Sequence, residues 1–144
     1  VLKPGQKMAL AMWHLAERNP FHYVLSRVVD RYVAPTPLEP DARDAFRFAT
    51  PGKLLKVMDE AGVRAPTERL FQFTIRASSS VEDFFALRLE MSEKLRGKFS
   101  MLSAQQKTEL KREALEAIIQ YSTGGEIRLP AEVLIVSGTK ARIS

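Results

Sequence analysis

His14 and His22 are the only histidines in the sequence, and imidazole is the side chain that exchanges a proton near neutral pH. Both fall in the stretch "WHLAERNPFHY", together with Trp13, Asn19 and Phe21. A general base would be drawn from this pair, but neither histidine has a partner that the sequence identifies. Aromatic side chains gather in two further places: Phe46 and Phe48 flank Arg47, and Phe84 and Phe85 are followed at a distance by Tyr121. The chain has no cysteine, which excludes disulfides and thiolate metal sites. No metal is expected. No Gly-x-Gly-x-x-Gly-like stretch occurs either, so the backbone cradle that such a turn offers a nucleotide is missing.

The elements that must position these residues belong to a chain of 144 residues, long enough for one domain with a real core, and 1–144 reads as a single domain. With 45% hydrophobic and 27% charged residues, the composition is that of a globular protein. The longest apolar runs, 8–13 and 133–136, fall far short of the roughly 20 residues of a membrane span. The amino-terminal stretch lacks the basic region, apolar core and cleavage site of a signal peptide, so a cytoplasmic location is expected. A net charge of +5 and a pI of about 9.7 invite a nucleic-acid reading. The charge distribution argues against it. Glu90, Glu93, Glu109, Glu113 and Glu116 are interleaved with Lys94, Arg96, Lys98, Lys107, Lys111 and Arg112, a pattern of solvated helix faces rather than of a phosphate-binding stripe. Neither nucleic acid nor membrane is an expected partner.

Pro4 and Gly5 mark a turn, and Lys7–Trp13 is apolar on both alternating faces, as a strand covered on both sides reads. Asn19 offers an N-cap and Pro20 a first-turn proline. Val24, Leu25, Val28, Val29 and Tyr32 then form a helical stripe over about 20–33. "APTPLEPDARDAF", 34–46, has three prolines and no periodicity, which reads as a long loop of the covering or binding kind. Thr50 can cap and Pro51 open a helix with Leu54, Leu55, Val57, Met58 and Ala61 buried, closed by Gly62 in the left-handed conformation. Residues 69–76 alternate Phe71, Phe73 and Ile75 with Gln72, Thr74 and Arg76, a strand with one wetter side. Capping boxes at Ser79 with Glu82 and Ser80 with Asp83 introduce a helix over about 80–96, ending near Gly97. Ser103 with Gln106 introduces another, to about 121, with Leu110, Ala114, Ala117, Ile118 and Tyr121 inward. After the Gly124-Gly125 turn, "AEVLIVSG" reads as a buried strand. The sum is an α/β domain of about three strands and four main helices, with a helical pair, about 79–122, between the last two strands.

"VLKPGQKMALAMW" resembles the fifth strand of a class I S-adenosylmethionine-dependent methyltransferase and the turn before it, where that family commonly shows a leucine, a basic residue and Pro-Gly-Gly. Gln6 stands where the second glycine is common. "NPF", "FRFATPGKLLKVMDEAGV" and "LPAEVLIVSGTK" look like the later landmarks of the small-molecule branch near the quinone-biosynthesis methyltransferases, in the right order over nearly the whole chain. The resemblance implies a partial Rossmann-like sheet whose first four strands, with the cofactor site, lie upstream of Val1. It implies S-adenosylmethionine as cofactor and a small-molecule methyl acceptor for the intact enzyme. For this chain alone, the carboxyl half, it implies no cofactor binding and no activity.

In the intact fold, ligands gather outside the carboxyl ends of the parallel strands, so the resemblance places Trp13, His14, Asn19, Phe21 and His22 around the acceptor pocket. The same residues read more readily as core packing, a helix cap and surface histidines, because apolar aromatics usually pack. Methyl transfer needs chiefly alignment of the acceptor, optionally with a base, for which His14 and His22 are the candidates. Phe46 and Phe48 read as a lid or as anchors of the long loop, and Phe84, Phe85, Met91 and Tyr121 as substrate cover or core. In the family's sheet the fifth strand lies between the fourth and the last, so this chain's first strand should pair with its last strand and leave its other edge open. That edge predicts a homo-oligomer. The alternative to an enzyme half is a non-catalytic module that self-associates or binds a partner.

Overall fold

The computed structural model describes residues 2–37, 39 and 42–142. Leu38, Pro40 and Asp41 of the expected long loop lie outside the described residues, as does Val1 at the head of the first motif. In chain order the elements are β1 Lys7–Trp13, a short 3-10 turn Ala16–Arg18, α1 Pro20–Val29, α2 Lys53–Glu60, β2 Val63–Ala77, α3 Val81–Met91, α4 Glu93–Ser100, α5 Ala104–Ile119, β3 Ser122–Thr123 and β4 Glu126–Lys140. The strands run in the order β1-β4-β2, with the two-residue β3 also paired to β4. β1 and β4 are antiparallel, in a register from Lys7 opposite Thr139 to Trp13 opposite Val133, and β3 is antiparallel to β4 as well. The class is α/β and the first strand pairs with the last, as expected. The sheet is antiparallel in these pairings rather than a run of parallel strands, and five α-helices are described instead of four.

The chain divides into two compact units, the first from Val1–Asn19, Glu39–Phe73 and Ala131–Ser144, the second from Pro20–Leu38 and Thr74–Pro130. In the first, Leu54 and Met58, one helical turn apart on α2, bury themselves with Val136 against Met8, Met12, Phe48, Leu55 and Val63. This seam is narrower than expected: Val57 is 44% exposed and Ala61 is exposed. The helix also starts later than Thr50 and Pro51 suggest. Gly52, at φ 83°, turns the chain left-handed immediately before Lys53 and gives its N–H to the Glu68 carboxylate at 3.0 Å, so no side chain caps α2. Gly62 does end the helix with a positive φ of 79°. Gly138 has a different role. A Cβ there would lie 2.3 Å from Val63 Cγ1 and 3.2 Å from the Arg64 carbonyl oxygen, so only glycine permits the approach.

β1 and β2 are less covered than their apolar residues suggest. β1 sits at one end of the strand order with a single neighbour, and Ala9, Leu10 and Ala11 are exposed, Leu10 by 43%. β2 is nearly twice its expected length and leaves Phe71 53% and Phe73 38% exposed. Only Met8 and Met12 of β1 are drawn onto the α2 seam.

In the second unit, Val24, Leu25, Val28 and Val29 of α1 close with Phe84, Phe85, Leu95, Leu102, Leu110, Ala114, Ile118, Ile127 and Leu129 into one core. Fully burying a side chain such as Leu110 or Ile118 contributes roughly 2 kcal/mol, so the core rests on α1, α3 and α5 together. α1 stops at Val29, short of the expected residue 33. Tyr32, beyond its end, reaches sideways to donate to Glu113 at 2.8 Å. The helix expected over 80–96 is two helices. Ser92 leaves the helical conformation at φ −121°, ψ 103°, and its hydroxyl accepts from the Leu95 N–H, so it restarts the helix as an N-cap. Gly97 therefore lies inside α4 rather than ending a helix. Ser80 caps α3 by accepting from the Asp83 N–H, and the Ser103–Gln106 capping box of α5 is complete in both directions. Ser79 caps nothing, its hydroxyl donating to the Ser80 carbonyl. The mixed charges of α5 are spent locally: Arg112 bridges Glu109 and Glu116 at 2.6 Å each.

Candidate functional site

In the first unit, β1 delivers its next residue, His14, to a buried polar cluster beside β4. The His14 N–H donates to the Glu132 carbonyl at 3.0 Å, extending the ladder by one bond. Its ring Nδ1 lies 3.1 Å from the Ala49 carbonyl oxygen. A carbonyl only accepts, so Nδ1 carries the proton and Nε2 presents its lone pair. Nε2 faces the Glu132 carboxylate, with Oε2 at 3.9 Å. The other oxygen of Glu132 accepts from Gln72 Nε2 at 2.8 Å, while Oε2 is buried without a hydrogen-bond partner. An imidazole, a carbonyl that fixes its tautomer and a carboxylate thus lie side by side.

Asn19 builds this cluster and is fully buried. Its Nδ2 donates to the carbonyls of His14 and Glu132, both at 3.1 Å, and of Leu15 at 3.3 Å, and its Oδ1 accepts from the Glu132 N–H at 2.9 Å. Its side-chain oxygen is thus taken by the Glu132 N–H rather than by the helix its place before Pro20 suggests it would cap. Its amide matches the backbone groups just after β1 and those of Glu132 within β4.

Trp13 ends β1, with its ring 6.5 Å from Phe73 in a stacked arrangement. With Ala11, Met12, Ala45 and Val133 it lines a cavity of about 340 Å³ in the first unit. Phe46 is half-buried next to Ala45, and its N–H donates to Asp44 Oδ1 at 2.5 Å. Phe48 packs on the α2 seam with Lys53 5.7 Å from its ring.

In the second unit, Phe21, His22 and Phe84 come together: Phe21 meets His22 edge-on at 5.3 Å and Phe84 at 6.2 Å. Burial, with Arg88 beside it, lowers the His22 pKa below its ordinary 6.5, so the ring is neutral at pH 7. Phe84 and Phe85 are each 4% exposed core residues, Phe85 against Phe99 at 6.0 Å. Tyr121 shares a 3.3 Å hydrogen bond with Tyr23, and burial first, then that bond, pushes its pKa up to about 12. A second cavity, of about 570 Å³, is lined by Arg31, Arg112, Glu113, Glu116, Ala117 and Gln120 and contains none of the expected site residues.

Sequence reasoning missed Glu132 and Arg88. Each left a signal, a single acid heading an apolar strand and a single arginine four residues after Phe84 on an apolar helix face. Among the described residues no cluster of three or more His, Cys, Asp or Glu side chains could hold a metal ion, and no helix is long and apolar enough to cross a membrane. No family model matches the chain, and no curated protein matches it.

Proposed function

We propose that this chain supplies the acceptor side of a cytoplasmic, S-adenosylmethionine-dependent methyltransferase acting on a small molecule, with a partial Rossmann-like sheet and with the cofactor held by groups outside this sequence. The observation that carries the reading is the β1–β4 pairing: the first strand of this chain lies against its last, as the resemblance implies for the fifth strand, and leads at its carboxyl end into His14 and the Glu132 carboxylate. In this reading His14 is the proton acceptor, and Glu132, Asn19 and the Ala49 carbonyl are its positioning groups. Trp13 is the acceptor-facing wall, because it lines the cavity at the end of β1. Methyl transfer itself asks little else of the protein than alignment of the acceptor with the sulfonium methyl group.

The test is the product of the complete reading frame, assayed with radiolabelled S-adenosylmethionine and a panel of phenolic and quinol acceptors. Methyl transfer that His14→Ala lowers by about a hundredfold, at unchanged cofactor affinity, is the expected result. Cofactor-independent behaviour, or transfer untouched by His14→Ala, would reject it. One observation favours the non-catalytic alternative: β1 is an end strand with Leu10 43% exposed, and Phe71 and Phe73 are also open, which suits a self-associating module. A reading frame that starts within a few residues of Val1 would favour that alternative.

A further inference from the structure

In the second unit, α3 turns Arg88 inward on the stripe that begins with Phe84. Only 6% of the residue is exposed. Its guanidinium carbon lies 4.2 Å from the centroid of the Phe21 ring, and Phe21 in turn rests edge-on against Phe84. Its Nε is buried without a hydrogen-bond partner.

Five acids of this unit are engaged elsewhere: Asp30 with Lys98, Glu113 with Arg31, Glu126 with Arg76 and Arg128, and Glu109 and Glu116 with Arg112. No carboxylate pairs with Arg88 among the described residues. Stripping a guanidinium of water is costly, and a stacked ring returns only part of that cost. Charged side chains are almost never fully buried unless paired. Burial pulls the Arg88 pKa down, in keeping with a desolvated cation that has no counter-ion. His22 adds no second charge at neutral pH, since both burial and Arg88 hold it in the neutral form.

The site is therefore one fixed positive charge, shaped as a planar fork, with phenyl rings beside it. A planar fork matches a carboxylate in two parallel hydrogen bonds. A single cation balances a monoanion, whereas a phosphate dianion calls for more donors and more charge. The rings of Phe21 and Phe84 favour an apolar, flat body next to the anionic group.

We propose that Arg88 is the anchor of a binding site for the carboxylate of a small aromatic acid, with Phe21 and Phe84 against its ring. The site stands on the geometry of the second unit alone and does not depend on the methyltransferase reading.

Titration of the folded chain with benzoate, followed by the Arg88 Nε–Hε cross-peak in ¹H–¹⁵N NMR spectra, tests it. The expected result is a saturable shift at millimolar benzoate or below. Benzamide, the same ring without the charge, should leave the peak unmoved, and inorganic phosphate should bind at least about tenfold more weakly, because it lacks the ring and mismatches the charge. Arg88→Met, which keeps the length and removes the charge, should abolish saturable benzoate binding, seen in the amide peaks of His22 and Phe84, while raising the thermal midpoint of the free chain. Should that variant fail to fold, Arg88→Lys retains the charge without the fork and should weaken binding about tenfold. A cross-peak that does not move up to tens of millimolar benzoate, tighter binding of phosphate than of benzoate, or equal benzoate affinity in Arg88→Met would each overturn the proposal.

Discussion

At the scale of single residues, the buried amide of Asn19 has the clearest energetic consequence. It satisfies three carbonyls and one N–H, all in or near the chain segments that hold His14 and Glu132. Asn19→Ala takes the amide from the His14 carbonyl and the Glu132 N–H, while the Glu132 and Leu15 carbonyls keep their bonds from the His14 and Arg18 N–H groups, and the expected cost is about 3 kcal/mol in denaturant unfolding. A loss below about 1 kcal/mol, the usual value of a cap, would mean that Asn19 acts only as the helix start its sequence position suggests. A second expectation concerns pH. His22 in the folded chain titrates below 6.5, its value when unfolded. The unfolded chain therefore takes up the proton first, so stability is full above pH 6.5 and declines as the pH falls from 6.5 through the lowered folded value. His22→Gln should flatten the stability profile across that window. An unchanged slope would show that the burial of His22 carries no such linkage. That a histidine at this end of β1 could serve as a base was legible in the residue type, but its partner was not, because Glu132 lies near the other end of the chain and only strand pairing brings it to His14.

At the scale of elements, local signals succeeded where the deciding contact is itself local. The Ser103–Gln106 box needs no residue outside its own first turn, so it was readable, and Ser103→Ala should lower stability by about 1 kcal/mol. Thr50→Ala should be nearly silent by the same denaturant measurement, since Gly52 and the distant Glu68 start α2 instead. Equal losses at the two sites would contradict both assignments. The break at Ser92 was hidden because the apolar spacing runs on through it, and periodicity alone does not register a serine that caps from within. Coverage of β1 was misjudged for a different reason: apolar residues on both faces show what a strand can bury, and neighbours decide what it does bury. With its outer edge open and Leu10 exposed, β1 is a template for a second copy. Light scattering over a range of concentrations should show a homo-oligomer that Leu10→Lys disperses. A monomer at every concentration, indifferent to the lysine, would show the edge to be protected.

At the scale of the whole molecule, the α/β class follows the sequence pattern and the meeting of the first and last strands follows the resemblance, while the division into two compact units was not read from the sequence. Two of the boundaries between the units fall inside β2 and β4, where no linker marks them, and another falls in the proline-rich stretch 34–46. The methyltransferase reading rests on motif order, on the β1–β4 pairing and on the base geometry at His14. It requires that the cofactor be held by residues other than these. Calorimetric titration of S-adenosylmethionine into two proteins, the 144-residue chain and the product of its complete reading frame, puts that requirement to the test. The account predicts saturable binding for the complete product, carried by a Gly-rich strand-to-helix turn roughly 100 residues before Val1, and none for the chain alone. Saturable binding to the 144-residue chain in the micromolar range, or none to the complete product, would contradict it.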